Sequence, residues 1–309
     1  MKNHIGRKIV ATAVLGATFF TGLGTGAIVR AEAMQDTTVA VNVQVQQQKK
    51  SNINWTKGAE SDITVTGTGL PPAIPGPRRT ALARRAAIVD AYRYLAEAVQ
   101  GVQVDADTVM QDLVIKNDTV RIQVSTLIKG AKIVREHENA DGSYSVTMTL
   151  PLYGANSVAA VAIPEIRRSV VPEPLPPVTR TKIPKYKVKE IRHASFTGVI
   201  IDASGLGLEA TFSPVIYDET GRAIYGMKNI DPDFAISKGM VEYSTDVAGA
   251  MAHSRAGSNP LVIRAVAVSG GRNSANRVNV VVSPEDGDKI LLANEKTGML
   301  QNCAVVFVK

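Results

Sequence analysis

A proline-rich segment divides this chain and limits how it folds. Residues 170–189 read VVPEPLPPVTRTKIPKYKVK and contain five prolines. Proline has no backbone N–H to donate and favours extended polyproline geometry, so the segment predicts a semi-rigid spacer. We therefore predict two small domains, over residues 61–168 and 191–309, joined by a proline- and lysine-rich linker over residues 169–190.

The amino terminus has the parts of a secretory signal. Three basic residues, Lys2, Arg7 and Lys8, precede an uncharged stretch at residues 9–29 and the triplet Ala31-Glu32-Ala33. We predict a signal peptide over residues 1–33, cleaved after Ala33. The alternative is an uncleaved anchor, because a membrane span needs about 20 apolar residues. The Gly, Thr and Ala content of the stretch makes it weakly apolar and favours cleavage, which leaves no integral membrane span.

Composition limits the partners of the exported chain. The formal charge is +7, and the signal contributes Lys2, Arg7, Lys8 and Arg30 against Glu32, a net +3, so +4 remains. That excess favours anionic envelope polymers and is too small to indicate nucleic acid. The single cysteine, Cys303, excludes an internal disulfide. The apolar residues that follow it in NCAVVFVK predict that Cys303 is a small buried apolar residue and not a reactive thiol.

The first domain combines helices with antiparallel strands. A flexible lead-in is predicted over residues 34–60, with VAVNVQVQ as a candidate edge strand. The stretch SDITVTGTG predicts a strand, and a helix follows, with Pro77 in its first turn and Gly101 at its end. The stretch DTVRIQVSTLIKGA fits a strand or a helix, and we predict a helix that ends before Gly130. Residues 131–154 predict a hairpin that turns at residues 139–142.

The second domain shows the same mixture, so the predicted fold class is α+β, with an antiparallel sheet and packed helices in each domain. Short β-rich runs alternate with Gly and Asp turns, and STDVAGAMAHS predicts a short helix capped by Ser244. The clearest helix begins after Ser283 as cap, has Pro284 at its first position and stops at Gly298. MLQNCAVVFVK predicts the last strand.

The helix in RRTALARRAAIVDAYRYLAEAVQG is rich in arginine at its start. At 100° per residue Asp90 falls on the side opposite to an apolar stripe, which consists of Ala81, Ile88, Ala91, Tyr92, Leu95 and Val99. Arg84 falls within the apolar stripe, so we predict that it is a buried member of an ion pair and that its loss is strongly destabilising. Arg78 and Arg79 lie at the positive end of the helix dipole, where a bound anion or a partner would compensate them.

No catalytic or cofactor motif stands out in the sequence. His253, Ser254 and Asp246 are close in sequence, but a triad needs converging geometry. His137 lies between Glu136 and Glu138, but adjacent strand residues face opposite ways, so these residues do not form a metal site. The glycines of SGLGLE lack the strand, helix and acidic residue of a dinucleotide site and predict turns. We predict neither an enzyme nor a bound cofactor or metal.

Part of the first domain resembles a known family. VTGTG, ALARRAAIVDAYRYLAEAVQG, IKGAKIV and DGSYSVTMTLPLYG, within residues 62–154, resemble the family of the LPP20 lipoproteins and the N-terminal domain of the flagellar assembly protein FlgT. Ala83-Arg84 and Asp90-Ala91 match the helical pattern of that family. The resemblance implies a small α+β fold, export in a bacterium with an outer membrane, and an assembly or surface role without catalysis. The chain lacks the lipidated cysteine of LPP20 proteins.

These observations lead to two hypotheses of function. The first is a non-enzymatic protein of the periplasm, outer membrane or cell surface that binds envelope or flagellar proteins. The alternative is a binder of anionic envelope polymer, such as cell wall or lipopolysaccharide, through Arg78, Arg79 and the basic linker.

Overall fold

The computed structural model describes residues 51–179, 183–271 and 275–309. The predicted signal peptide and the strand predicted at VAVNVQVQ lie outside the described residues. Residues 51–60 belong to the predicted lead-in, and here the prediction of a flexible segment is wrong. They form strand β1, at Ser51–Asn54, and a 3₁₀ turn at Gly58–Glu60, because β1 pairs with the next strand and Trp55 is buried.

The first region is an antiparallel sheet covered by helices on one face. Its sheet has the order β1-β2-β4-β3. The remaining elements are β2 at Asp62–Gly69, α1 at Arg78–Gln100, α2 at Met110–Lys116, α3 at Asp118–Lys129, β3 at Lys132–Glu138, β4 at Tyr144–Pro151 and α4 at Val158–Ser169. The helix predicted before Gly130 and the hairpin turning at residues 139–142 are confirmed.

Helix α1 lies unusually close to strand β2. A Cβ atom built on Gly67 would lie 2.2 Å from the Ala91 nitrogen, and one built on Gly69 would lie 1.9 Å from the Ala83 oxygen. The side of α1 that faces the sheet is therefore a ridge of alanines at positions 83, 87 and 91, all fully buried. The larger Ile88 and Tyr92 lie at the flank of this ridge and are only half-buried.

We expect Gly69→Ala to destabilise the protein by about 1–3 kcal/mol, because the added methyl group forces α1 away from the sheet. The measurement is the free energy of unfolding in a denaturant titration. Gly101→Ala is the matched control, since a Cβ there would meet no atom nearer than 3.6 Å. That control should stay within about 0.5 kcal/mol of the parent. Equal effects at both positions would contradict the close contact.

The second region contains two four-stranded sheets and four helices within the described residues. Its elements are α5 at Lys185–His193, β5 at Gly198–Asp202, β6 at Ile216–Asp218, β7 at Ala223–Tyr225, α6 at Pro232–Lys238, β8 at Glu242–Ser244, α7 at Val247–Ala252, β9 at Pro260–Arg264, β10 at Ala267–Ser269, β11 at Asn279–Val282, α8 at Pro284–Thr297 and β12 at Val305–Val308. The α+β class is confirmed. Helix α8 has the predicted Ser283 cap, Pro284 start and Gly298 stop.

The strand pairing of the second region differs from the antiparallel sheet that we predicted. In the sheet β8-β12-β5-β9 every neighbouring pair is parallel, and the sheet β10-β11-β6-β7 is mixed. All four residues of β12 are buried, as are the first four of β5. Strands buried on both faces are typical of parallel sheets, and their uninterrupted apolar runs, GVII and VVFV, are the corresponding sequence signal.

The described residues from Ser51 to Lys309 belong to one compact unit, and the hydrophobic core continues across the predicted domain boundary. Trp55 and Tyr153 from the first region pack edge to face against Phe212 from the second, with ring centres 5.0 and 5.6 Å from Phe212. The Ser213 N–H donates to the Val104 carbonyl at 3.0 Å, and the Gly154 N–H donates to the Ile236 carbonyl at 2.8 Å. The two predicted domains therefore share one core.

The proline-rich segment lies against the second region. The Thr179 N–H and hydroxyl donate to the two oxygens of Asp288, at 3.0 and 2.6 Å. Arg222 donates to the Pro177 carbonyl and forms ion pairs with Asp218 and Asp288 at 2.8 and 2.9 Å. Both carboxylates are almost fully buried. Residues 170–179 are thus an extended strap held by hydrogen bonds to the second region. The prediction of a spacer is wrong at the other end of the segment, where residues from Lys185 onward belong to helix α5.

Candidate functional site

Arg78 and Arg79, the predicted anion contacts, are exposed at the start of α1. Neither forms an ion pair with a described residue. No acidic residue lies in the first turn of the helix, and its capping residue, Pro77, provides no side-chain hydrogen bond. The Arg79 guanidinium lies beside the turn of the β3–β4 hairpin, 3.4 Å from the position of a Cβ built on Gly142. The two arginines are therefore accessible.

Arg84 forms the predicted ion pair, but the pair is not buried. Its Nε lies 2.8 Å from Glu136 on β3, and 41% of its side chain is exposed. The hydrogen bond to Glu136 raises the pKa of Arg84, which was already charged at every relevant pH. The prediction of a buried pair is wrong because the alanine ridge is the centre of the buried face, which leaves Arg84 at its edge. We expect loss of so exposed a pair to have little effect on stability.

Asp90 joins α1 to the sheet. Its carboxylate accepts the Thr68 N–H at 3.0 Å and pairs with Arg93 at 2.8 Å. Among the described residues, β1 pairs with β2 from Asp62 to Val65. Asp90 thus satisfies a backbone donor of β2 beyond that described pairing, which is a structural role.

The residues around His253 have separate partners. Asp246 caps α7 by accepting the Gly249 N–H at 2.7 Å, so the prediction of Ser244 as cap is wrong; Ser244 is the last residue of β8. His253 Nδ1 lies 3.2 Å from Glu242 Oε1, and Ser254 is exposed in the turn that follows. Glu242 also pairs with Arg255, which donates to the Gly239 and Cys303 carbonyls. This cluster holds β8 to the turn after α7.

Two further sequence expectations concern metal binding and the cysteine. His137 faces away from Glu136 and Glu138, as predicted for a strand, and the described residues contain no group of three metal-ligating side chains. Cys303 is fully buried, as predicted, and burial raises the pKa of its thiol. A thiol with a raised pKa has little reactive thiolate at neutral pH.

Two strongly exposed apolar side chains of the helical layer lie on α2 and α3. Ile115 is 73% exposed and Ile122 is 64% exposed. Two grooves run along the sides of α3. One, of about 640 Å³, lies between α3, α4 and the end of β4, with Ile122 and Leu127 in its wall. Exposed apolar surface of this kind, rimmed by polar residues, is typical of interaction sites.

The second groove, which we call the α1–α3 groove, has an apolar floor and a basic rim. Its volume is about 520 Å³. The floor is formed by Tyr92, Ala96, Val114, Val124 and Ile128, and the rim by Gln100, Arg121, Ser125 and Lys129. Arg121 pairs with Asp118 at 2.9 Å, whereas Lys129 has no ion pair among the described residues. The groove therefore offers an apolar surface beside an uncompensated positive charge.

Sequence reasoning did not identify this groove. Val124 and Ile128 lie on the helix predicted to end before Gly130, but Tyr92 and Val114 come from two other helices. Only the packing of three helices brings these side chains together. The exposed Ile122 lies in the wall of the other groove and gives no signal for this one.

Comparison with known proteins gives a similarity for the second region. Residues 198–309 match the family model described as Treponema pallidum Tp0624, second domain. No curated protein matches the chain. The similarity covers the second region from β5 to the carboxyl end. The α1–α3 groove lies in the first region, outside the matched residues.

Proposed function

We propose that this chain is an exported, non-enzymatic protein of the bacterial envelope that binds a partner protein along α3. The observation that carries the proposal is the α1–α3 groove, with its apolar floor and the free charge of Lys129. Burial of an apolar patch provides affinity, and a complementary charge at the rim orients the partner. The segment that fits is an amphipathic helix with an apolar face and an acidic flank.

The resemblance of residues 62–154 to the LPP20 and FlgT family supports an assembly role in the envelope, including an association with flagella. The signal-like amino terminus supports export to the periplasm, outer membrane or cell surface. Among the described residues, no helix has the length and apolar content needed to cross a membrane. Mass spectrometry of the exported protein should find Met34 as the first residue, and an intact Met1 would contradict cleavage.

The test of the interaction site is photo-crosslinking in cells. A photoreactive amino acid at Ser125, on the rim of the groove, should crosslink a specific envelope protein. The same amino acid at Val262, an exposed position on β9, is the control and should not crosslink that protein. Equal crosslinking from both positions, or none from Ser125, would contradict the proposed site.

Affinity then tests the chemistry of the groove with the identified partner. Lys129→Glu should weaken binding at least about tenfold, because it places a like charge against the acidic flank. Lys238→Glu makes the same charge change on α6, outside the groove, and should change the affinity less than about twofold. If Lys129→Glu binds as well as the parent, the partner does not use this rim.

A further inference from the structure

A different surface carries an inference about a second kind of ligand. The sheet of the first region has α1 on one face. We call the opposite face the open face. Its side chains come from alternate positions of β2 and β4, namely Thr64, Thr66, Thr68, Ser145, Thr147 and Thr149. All six side chains carry hydroxyl groups, and all are exposed or half-exposed.

The hydroxyl groups form cross-strand pairs. Thr66 and Thr147 lie directly opposite each other, with their Oγ1 atoms 3.1 Å apart. Thr64 and Thr149 both donate to Asp62 Oδ2, at 2.9 and 2.7 Å. The other oxygen of Asp62 lies 3.6 Å from Lys57 Nζ, so the carboxylate at this end of the open face has a cation beside it.

Strand β3 adds three basic side chains to the open face. Lys132 lies opposite Thr149, Arg135 opposite Thr147 and His137 opposite Ser145. All three are exposed, and none forms an ion pair within the described part of the chain. The acidic residues of β3 face the other way, where Glu136 pairs with Arg84 and Glu138 accepts from Thr80.

A β-bulge produces this separation of charge. The register of β3 against β4 shifts between Ile133 and Arg135, so Val134 has no partner on β4. Lys132 and Arg135 are three residues apart, and in a regular strand they would face opposite sides. The extra residue turns Arg135, and with it His137, onto the open face. Bulges commonly redirect a side chain in this way.

We propose that the open face binds an anionic polysaccharide. A sugar chain presents hydroxyl groups that can both donate and accept, as can the threonine and serine side chains of this face. Its acidic groups would pair with Lys132 and Arg135, two cations that form no ion pair with any described residue. In the rows from Thr64 to Thr68, the side chains that β2 and β4 place on the open face are all hydroxylic. That composition argues against a protein partner or a lipid surface here.

The test uses the full purified chain and polygalacturonate as the probe. Two comparison polymers test separately whether binding requires the sugar and whether it requires the negative charge. Methyl-esterified polygalacturonate keeps the sugar and removes the charge, and poly-L-glutamate keeps the carboxylates and removes the sugar. We expect measurable binding of polygalacturonate that weakens as salt is raised, and binding of both comparison polymers at least about fivefold weaker. Equal binding of poly-L-glutamate, or no binding of polygalacturonate, would overturn the proposal.

Variants then locate the site. Lys132→Gln with Arg135→Gln should weaken polygalacturonate binding at least about fivefold, since two charge-assisted contacts are lost. Thr66→Val with Thr147→Val should also weaken binding, because valine keeps the branched shape and removes the hydroxyl groups. Lys238→Gln with Lys296→Gln removes the same charge from the second region and should have less than a twofold effect. Unfolding midpoints of all variants verify that each is folded.

The alternative binding site for the polymer is the start of α1. If Arg78→Gln with Arg79→Gln abolishes binding and the open-face variants do not weaken it, the ligand binds at the helix start and the proposal fails. A loss in the open-face variants with Arg78→Gln and Arg79→Gln unaffected supports it. Because Lys129 lies outside the open face, the partner-protein proposal can fail without affecting this one.

Discussion

Replacing Trp55 with alanine is expected to lower the free energy of unfolding by about 3–5 kcal/mol, a large part of the stability of a typical protein. Trp55 packs edge to face against Tyr153, Phe212 and Tyr243. These rings come from both sides of the predicted domain boundary. The alanine variant therefore opens a cavity where the two regions meet.

The measurement is denaturant unfolding followed by circular dichroism. Trp55 is the single tryptophan of the chain, so in the parent protein its fluorescence reports on this junction. Fluorescence and circular dichroism should give one coincident transition if the regions share a core. Leu82→Ala, at an exposed position of α1, should change the stability by less than about 0.5 kcal/mol. Two separate transitions in the parent, or a loss below about 1 kcal/mol in Trp55→Ala, would show that the regions are stable independently.

Arg222→Met is expected to destabilise the protein by about 3–5 kcal/mol at neutral pH, because it removes the cation that pairs with the buried carboxylate of Asp218 and breaks an ion pair of the buried Asp288. Burial opposes the charge on Arg222, but its hydrogen bonds to Asp288 and Asp218 outweigh burial and raise its pKa. The matched control is Arg192→Met, which breaks the exposed 2.7 Å pair with Glu295 on α8. The control should cost at most about 1 kcal/mol.

The effect of Arg222→Met should depend on pH. Burial alone would raise the pKa of Asp218, but hydrogen bonds from Thr220 and Arg222 hold that pKa below its ordinary value. A carboxyl whose pKa is lower in the folded state stabilises the fold above its unfolded pKa, about 3.9 for aspartate, and loses that contribution as the pH falls through its folded-state pKa. The difference between parent and variant should therefore be largest near neutral pH and shrink below about pH 4. A difference that is constant from pH 7 to pH 3 would contradict this role of the ion pair.

The sequence predicted best those elements that local interactions define. Helix α8 begins and ends as predicted because Ser283, Pro284 and Gly298 meet the backbone requirements of its two ends. The cap of α7 was misassigned because two cap-forming residues lie close together, and only Asp246 reaches the Gly249 N–H. The burial of Arg84 was misjudged because large apolar residues were taken to mark the buried face of α1. At so close a helix–sheet contact the smallest residues occupy that face.

The candidate surfaces were less accessible to sequence reasoning. Arg78 and Arg79 are exposed, which fits either solvated side chains or a contact with a partner. The structure adds nothing that distinguishes these two roles. The α1–α3 groove combines side chains from three helices. The positive charge of the open face depends on the bulge at Val134. Without knowledge of that bulge, counting alternate positions along β3 would place Lys132 and Arg135 on opposite faces of the sheet.

The sequence by itself determined the α+β class, the hairpin of β3 and β4, the carboxyl end of α3, both ends of α8, and the turns at the two SGLGLE glycines, both of which have positive φ. These features depend on neighbouring residues, whose hydrogen bonds and backbone preferences act within a few positions. Only the tertiary structure decided that β12 lies between β5 and β8 and is parallel to both. It also decided that one hydrophobic core includes residues from both sides of the proline-rich strap, and that the basic residues of β3 lie together on the open face. Those features depend on strand register and packing between distant segments, where many pairings satisfy the same local pattern and the shared burial of apolar surface selects one.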